Sequence, residues 1–562
     1  MLGKRVASRQ AAYWLLPTAY RSWLRLAALL VVAAASELVY ASFWPISYYL
    51  TQASDYTYEY LTEYPAVWER LLPMLVRFEA TWPGGSQSLE FLVDALMRLF
   101  IGAFCLYLVA FLLVRAGLPK GWGTAGVLGP AIAFQVTLFL MPGLFTTDMF
   151  SYVVYGDIAG AYGLNPYLQV PAFFPESRAS QWIHPIWHYA ASIYGPAWIN
   201  LSWFIARAVA QASDVDKVLA YKLAVNLSHL AGIACLALAV RAFRPSGVLP
   251  SVLLYAWNPL IVFEFGGNGH NDALMVAIML LAVVLFASRC RLLGLGALTI
   301  SFLIKMSSVL LLPYYVMAWA RERAARHSGP RSAAAFSLVV AAAGLTVAAI
   351  TAGLYLPWWV GVDTLDPIIL WSQGPPLYNN SVPDIVAQRA AFEYVLGPTA
   401  PDPEAALDLA RAWVKLISRV AFASYCAWEL LQARGQLGMV GSAARVMLGF
   451  LLVVNTWVLP WYFSWPLALA IVLGWQRPLT WVLLGFSLSA PTVMYYHHFW
   501  HPYMSDSTYL LYLAPLAVPL LMTAPRVAAW LGHAVAAQAR ARPMLRRYGS
   551  VSGTPQAADS EP

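Results

Sequence analysis

Charged side chains are what this chain has least of. Only 11% of its 562 residues are Asp, Glu, Lys or Arg, against about a quarter in a soluble globular protein. So few charges cannot solvate a surface of this size, which excludes soluble, collagenous and disordered classes. Cysteine is scarce too. Cys105, Cys235, Cys290 and Cys426 lie in or at the ends of apolar runs with no CxxC or Cys/His spacing, so neither a disulfide framework nor a zinc framework is expected. The chain has no internal repeat, and no low-complexity run outside its last dozen residues. A cleavable leader is not expected either, because Lys4, Arg5, Arg9 and Arg21 precede an apolar run long enough to span, which reads as a retained anchor.

What the chain does have is apolar length. Hydrophobic residues make up 60% of it, in runs near the 20 or so needed to cross a bilayer as a helix. The expected fold is an all-α, polytopic transmembrane protein of about 11–13 spans with helical outer loops. The 24 Trp and 31 Tyr suit membrane interfaces, and also a site that stacks sugar rings. Spans are expected near 23–45, 90–114, 123–142, 217–240, 249–265, 273–288, 332–354, 407–432, 443–459, 478–496 and 508–524. Segment 293–319 should enter and return as two short helices meeting near Lys305. The run 197–213, broken by Arg207, reads as an interfacial or partly inserted helix.

The distribution of Lys and Arg orients these spans. Arg115 with Lys120, Arg241 with Arg244, Arg289 with Arg291, and the run Arg321–Arg331 mark cytoplasmic turns, whereas 54–90, 143–185 and 355–406 carry mainly acidic charge and belong outside. The chain then divides into a basic cytoplasmic N-terminus (1–22), a transmembrane hairpin (23–114), a main transmembrane module (115–525) with outer loops 143–185 and 355–406, and a basic cytoplasmic helix with a disordered tail (526–562). Asp94 and Arg98, four apart in the second span, are expected to pair.

Four segments carry residues that can do chemistry. In FTTDMFSYVVYGDIAGAYGLNPYLQVP (145–171), Asp148 stands at the outer membrane boundary, where a carboxylate can take the proton of an acceptor hydroxyl; the plain alternative is a helix cap. In NPLIVFEFGGNGHNDALM (258–275), Glu264, His270, Asn271 and Asp272 are costly in an apolar hairpin unless they face a polar cavity or one another. Asp272 can also cap a helix, and two ligands are too few for a metal site. Lys305, in SFLIKMSSVLLLP, can hold a phosphate as a point charge or snorkel to the interface. In LPWYFSWPLALA (459–470), Trp461, Tyr462 and Trp465 form either an interface belt or a lipid or sugar groove. HHFWHP (497–502) is weak evidence for a metal, and the sequons at Asn200, Asn226 and Asn379 are generic.

In that order, an early outer-loop Asp, the Asn165-Pro166-Tyr167 turn, Tyr194-Gly195-Pro196, NPL…GNGHND, IKMSSVLLLP and LPWYFSWPLAL resemble the GT-C superfamily of membrane glycosyltransferases. Within it, the chain looks like the bacterial polyprenyl-phosphomannose-dependent α-1,6-mannosyltransferases over roughly residues 120–500. The resemblance implies a multi-pass enzyme of the bacterial plasma membrane with its active site facing outward. It would move a hexose, mannose first, from polyprenyl phosphate to a glycan or glycolipid acceptor with inversion. Asp148 would be the catalytic base. Lys305, His270, Asn271, Asp272, Trp461 and Tyr462 would bind the donor phosphate or lipid, and Tyr152, Asn165 and Tyr194 would line the acceptor side. Membrane lipid is a partner and nucleic acid is not. A lysine can stabilise a single phosphate leaving group, so no divalent metal or other cofactor is required. The chain departs from the simplest pattern in that its Asp loop follows a third span, which the resemblance attributes to an additional hairpin, 23–114. The competing reading is a secondary transporter or lipid flippase with Lys305, His270 and Asp272 as a coupling relay; a membrane scaffold gives those residues no reason to converge.

Overall fold

The computed structural model describes residues 18–52, 60–61, 88–373, 380–391, 403–500 and 510–517. Within them the fold is all-α, and no strand occurs among the described residues. The expected hairpin is α1 (Thr18–Gln52) and α2 (Leu89–Arg115), packed together and against α3 (Trp122–Phe139). Ser88 starts α2 by accepting the Phe91 N–H, as serine does at an N-cap. α4 (Asp148–Gly160) packs on α5 (Pro196–Ala208), and a long α6 (Asp214–Phe243) follows. α5, with 13 residues, is about 20 Å long and too short to cross a bilayer. This accords with the interfacial helix expected there.

From Val248 the chain turns back through α7 (Val248–Ala256), bends by 49°, and continues as Pro259–Ile261 into a π-helical stretch, Val262–Asn268. Asn258 makes the bend. Its side-chain oxygen accepts the Leu260 and Ile261 N–H groups, and Pro259 needs no donor at the first helical position. α8 (Asp272–Ala287) runs back, α9 (Arg291–Phe302) returns, and a 3-10 turn, Met306–Leu311, leads into α10 (Leu312–Ala324). The two short helices expected around Lys305 are therefore α9 and α10. α11 (Pro330–Tyr355), α12 (Val382–Ala390), α13 (Pro403–Gln432), α14 (Gly435–Gly449), α15 (Ser464–Leu473) and α16 (Pro478–Phe499) complete the described helices of nine residues or more.

Among the described residues, seven helices are long and apolar enough to cross a membrane, or eight if the bent pair is one span. That is fewer than the spans counted along the sequence, for two physical reasons. α8 is apolar but has only 16 residues, short of the length a straight crossing needs. α13 is long but carries Glu404, Asp408, Arg411, Lys415, Arg419 and Glu429. The span expected at 443–459 is among the seven, as Gly435–Val454, after which the chain re-enters as α15. The span expected at 508–524 is described only for 510–517; residues 1–17, 526–562, His501 and Asn379 lie outside the described residues.

Helix directions sort the loops into two faces. Asp157 near the end of α4 pairs with Lys217 at the start of α6, and Arg244 beyond the end of α6 meets Gln476. Arg321 near the end of α10 donates to the Leu430 and Ala433 carbonyls at the end of α13. One face thus carries Asp148, His270, Asp272 and Lys305, and the other gathers Arg244, Arg289, Arg321 and Arg326. The hairpin is part of the bundle rather than beside it, since Phe43 and Phe100 both pack on Phe263, with centroids 5.0 Å apart.

Candidate active site

Two carboxylates begin helices on the same face. Asp148 is the first residue of α4 and Asp272 the first of α8, where the helix dipole favours negative charge. The N-cap of α4 is Thr147, which makes no side-chain cap bond. No backbone N–H in the cap is held by Asp148 among the described residues. Its carboxylate, 26% exposed, turns instead to His270, with Oδ2 3.4 Å from Nδ1.

His270 is fully buried between two carboxylates. Its Nδ1 faces Asp148, and its Nε2 lies 3.4 Å from Glu264 Oε2. Its ring lies flat on Trp461, centroid to centroid 3.5 Å at 16°. Glu264 is itself held, accepting from the Tyr495 hydroxyl at 2.8 Å and from Asn268 Nδ2 at 2.8 Å. Asn268 is locked in turn by the Phe145 N–H at 3.0 Å. The result is a line from Asp148 through His270 to Glu264, fixed at its buried end. Burial raises the Asp148 carboxyl, but the His270 imidazole and the Lys305 ammonium outweigh it and hold the group below its ordinary value. Burial lowers His270, and the Asp148 and Glu264 carboxylates outweigh it and hold the imidazole above its ordinary value. Both directions describe a carboxylate–imidazolium pair.

The π-helical stretch explains how these groups meet. A π turn widens the helix by one residue and is found at functional sites. Here it carries Glu264 and Asn268, and it ends at Gly269, whose φ of 76° is left-handed. A Cβ at Gly269 would also overlap Met149 Cε, next to Asp148. Glycine therefore lets the His270 turn close on the start of α4.

Lys305 forms the second arm. Its Nζ donates to Asp272 Oδ1 at 3.0 Å and Oδ2 at 2.8 Å, and Trp465 Nε1 donates to Oδ1 at 2.6 Å. Nζ also stands 4.8 Å from the Tyr462 ring centroid, and Tyr462 stacks on Trp465. An ammonium has three donors, so these two bonds leave one N–H. Asn271, between the arms, donates its backbone N–H to the Tyr152 hydroxyl at 3.3 Å. The Asn271 side-chain amide and the Trp461 indole N–H are buried without a hydrogen-bond partner among the described residues, leaving capacity for a polar ligand. Tyr194 packs edge-on against Tyr152, centroids 5.1 Å apart. Asn165 is engaged elsewhere: Nδ2 donates to the Trp358 carbonyl at 2.6 Å and Oδ1 accepts from Tyr167, so it holds the turn. His270 and Lys305, expected to share one phosphate, have separate carboxylate partners, Asp148 and Glu264 for the one and Asp272 for the other. Among the described residues, no group of three or more His, Cys, Asp or Glu side chains is arranged to hold a metal.

The sequence reading underrated Glu264. The available signal was its fully apolar setting, VFEF, four residues before Asn268. Tyr495 was missed altogether, because nothing local links it to a residue 231 positions away. A cavity of about 890 Å³ opens between α10 and α11, lined by Leu312, Pro313, Val340, Val347, Tyr355 and Trp359 among others. It begins where the 3-10 turn from Lys305 ends.

The family model described as α-(1→6)-mannopyranosyltransferase, N-terminal domain, matches residues 74–321. That range holds Asp148, Glu264, His270, Asp272 and Lys305, and it starts before α2 of the hairpin expected to be additional. Over 404 residues the chain is 28% identical to α-(1→6)-mannopyranosyltransferase A of Mycobacterium tuberculosis, covering 68% of this chain and 74% of that one. The protein of the same name from Corynebacterium glutamicum is 22% identical, covering 62% and 71%. The α-(1→6)-mannopyranosyltransferase B of C. glutamicum is 27% identical over 38% of this chain and 37% of its own.

Proposed function

Because the chain resembles the GT-C membrane mannosyltransferases, we propose that it transfers mannose from a polyprenyl-phosphate carrier to a hydroxyl of a glycan or lipid-linked glycan at the outer face of the bacterial plasma membrane. The observation that carries this reading is the exposed edge of Asp148, held by the buried His270–Glu264 pair instead of by its own helix. In the reaction, the acceptor oxygen attacks the anomeric carbon while the bond from that carbon to the carrier phosphate breaks. The bonding pair leaves with the phosphate oxygen, the hydroxyl proton passes to Asp148, and the anomeric centre inverts. Lys305, held by two bonds to Asp272, has one N–H left to donate to the leaving phosphate oxygen and offset its charge.

Charge supports a protonated His270. Asp148, Glu264, Asp272, Lys305 and His270⁺ sum to one negative charge, whereas a neutral imidazole would make it two beside an anionic donor. The lipid carrier is supported by the apolar cavity between α10 and α11, reached from Lys305 through Met306–Leu311. Outward orientation rests on the arginines of the opposite face.

The test is purified protein with radiolabelled polyprenyl-phosphomannose and, separately, nucleotide-linked mannose, each with an oligomannoside acceptor. Transfer from the lipid donor alone is expected. Transfer from the nucleotide donor alone, or lipid-donor movement across vesicles without transfer, contradicts the proposal.

A further inference from the structure

We propose that the face opposite the active site holds one anionic phospholipid headgroup between α9, α10 and α11. α8 has 16 residues from Asp272 to Ala287, so the turn after it lies about 24 Å along the helix from the active-site face. A cavity of about 610 Å³ opens there, with Arg289, Arg291, Arg323 and Arg326 in its lining and Glu322 as the single acid. Four cations against one anion leave three positive charges around one space.

The arginines are not used up by one another's partners. Glu322 takes Arg291 Nη2 at 2.5 Å and Arg326 Nη2 at 2.9 Å. Arg291, whose side chain is 8% exposed and lies over Phe286, keeps Nη1 buried with no hydrogen-bond partner among the described residues. Burying an unpaired guanidinium donor is costly unless an acceptor reaches it. Arg323 and Arg289 make no ion pair among the described residues. Arg289 also has a φ of 66°, a left-handed conformation unfavourable for a residue that bears a side chain. It lines the cavity at a backbone cost that glycine would avoid.

A lipid fits this site better than a free anion. Leu292, Leu293 and Leu338 line the same cavity and are 52%, 67% and 67% exposed. In a membrane-embedded bundle, such an exposed apolar rim meets acyl chains. A phosphate seated among the arginines would therefore have its glycerol and chains running along that rim, as in basic pockets between transmembrane helices.

The experiment uses the full chain in nanodiscs of phosphatidylcholine, with and without phosphatidylglycerol, read by thermal unfolding and by native mass spectrometry for retained lipid. Phosphatidylglycerol should raise the midpoint and remain bound at one copy. The pair Arg289→Gln and Arg323→Gln should weaken that binding about thirtyfold, at about 1 kcal/mol per basic residue, while leaving the midpoint in phosphatidylcholine unchanged. Arg241→Gln, an exposed arginine of the same face, should leave phosphatidylglycerol binding intact. Equal stabilisation by both lipids, retention of it in the double variant, an equal loss in the Arg241 variant, or its reproduction by inorganic phosphate alone would each overturn the proposal.

Discussion

Asp148 and Asp157 lie nine residues apart on one helix and have opposite surroundings. Asp157 is buried, accepts from Lys217 Nζ at 3.0 Å and from Ser177 at 3.2 Å, and ties α4 to α6. Asp157→Asn should lower stability by about 2 kcal/mol, the range for a hydrogen bond to a charged group, with turnover per folded molecule unchanged; thermal unfolding and a folded-fraction-corrected assay check both. In the proposed reaction Glu264, which meets His270, Asn268 and Tyr495, acts only through His270. The productive form needs Asp148 ionised and His270 protonated, so rate is lost on the acid side below the lowered Asp148 value and on the alkaline side above the raised His270 value. Glu264→Gln removes one of the two carboxylates that raise His270, so its alkaline limb should move to lower pH. A uniform loss of rate at every pH, with the limb unmoved, would make Glu264 structural only.

At the scale of elements, the site depends on close backbone approaches. Gly195 donates its N–H to the Ile304 carbonyl at 3.2 Å, and Ala197 donates to that of Leu303 at 2.9 Å. A Cβ at residue 195 would overlap the Leu303 carbonyl, two residues before Lys305. Gly195→Ala should cost about 1–3 kcal/mol by overpacking and raise the KM for the polyprenyl donor more than that for the acceptor, which steady-state kinetics with each substrate varied would measure. This contact was not legible in the sequence: Tyr194-Gly195-Pro196 is visible as a motif, but its docking partner is over 100 residues away. The helices were legible because apolar runs of spanning length need no tertiary information, and so was the return at Lys305, which the basic loops on either side require. The π turn was not. Its extra residue is set by packing around Glu264 and Asn268, which periodicity in the chain does not encode.

For the whole molecule, the proposed orientation puts the face with Asp148, His270, Asp272 and Lys305 outside and the face with Arg244, Arg289, Arg321 and Arg326 in the cytoplasm, as the positive-inside bias requires. In a cysteine-free background, a cysteine at Asp363 should label from outside intact cells and one at Ser328 should not; the reverse pattern would invert the orientation. The hairpin of α1 and α2 packs into the core through Phe43 and Phe100, and it is expected to be required for folding of the site it borders. The central claim, that Asp148 takes the acceptor's proton, is tested most directly by one variant. Asp148→Asn keeps the shape of the residue at the start of α4 while removing the base. With reconstituted protein, single-turnover transfer from saturating polyprenyl-phosphomannose should fall by about 10²–10⁴-fold, the usual worth of general-base catalysis, with donor binding retained. Transfer at the wild-type rate by the folded, donor-bound variant would contradict the account.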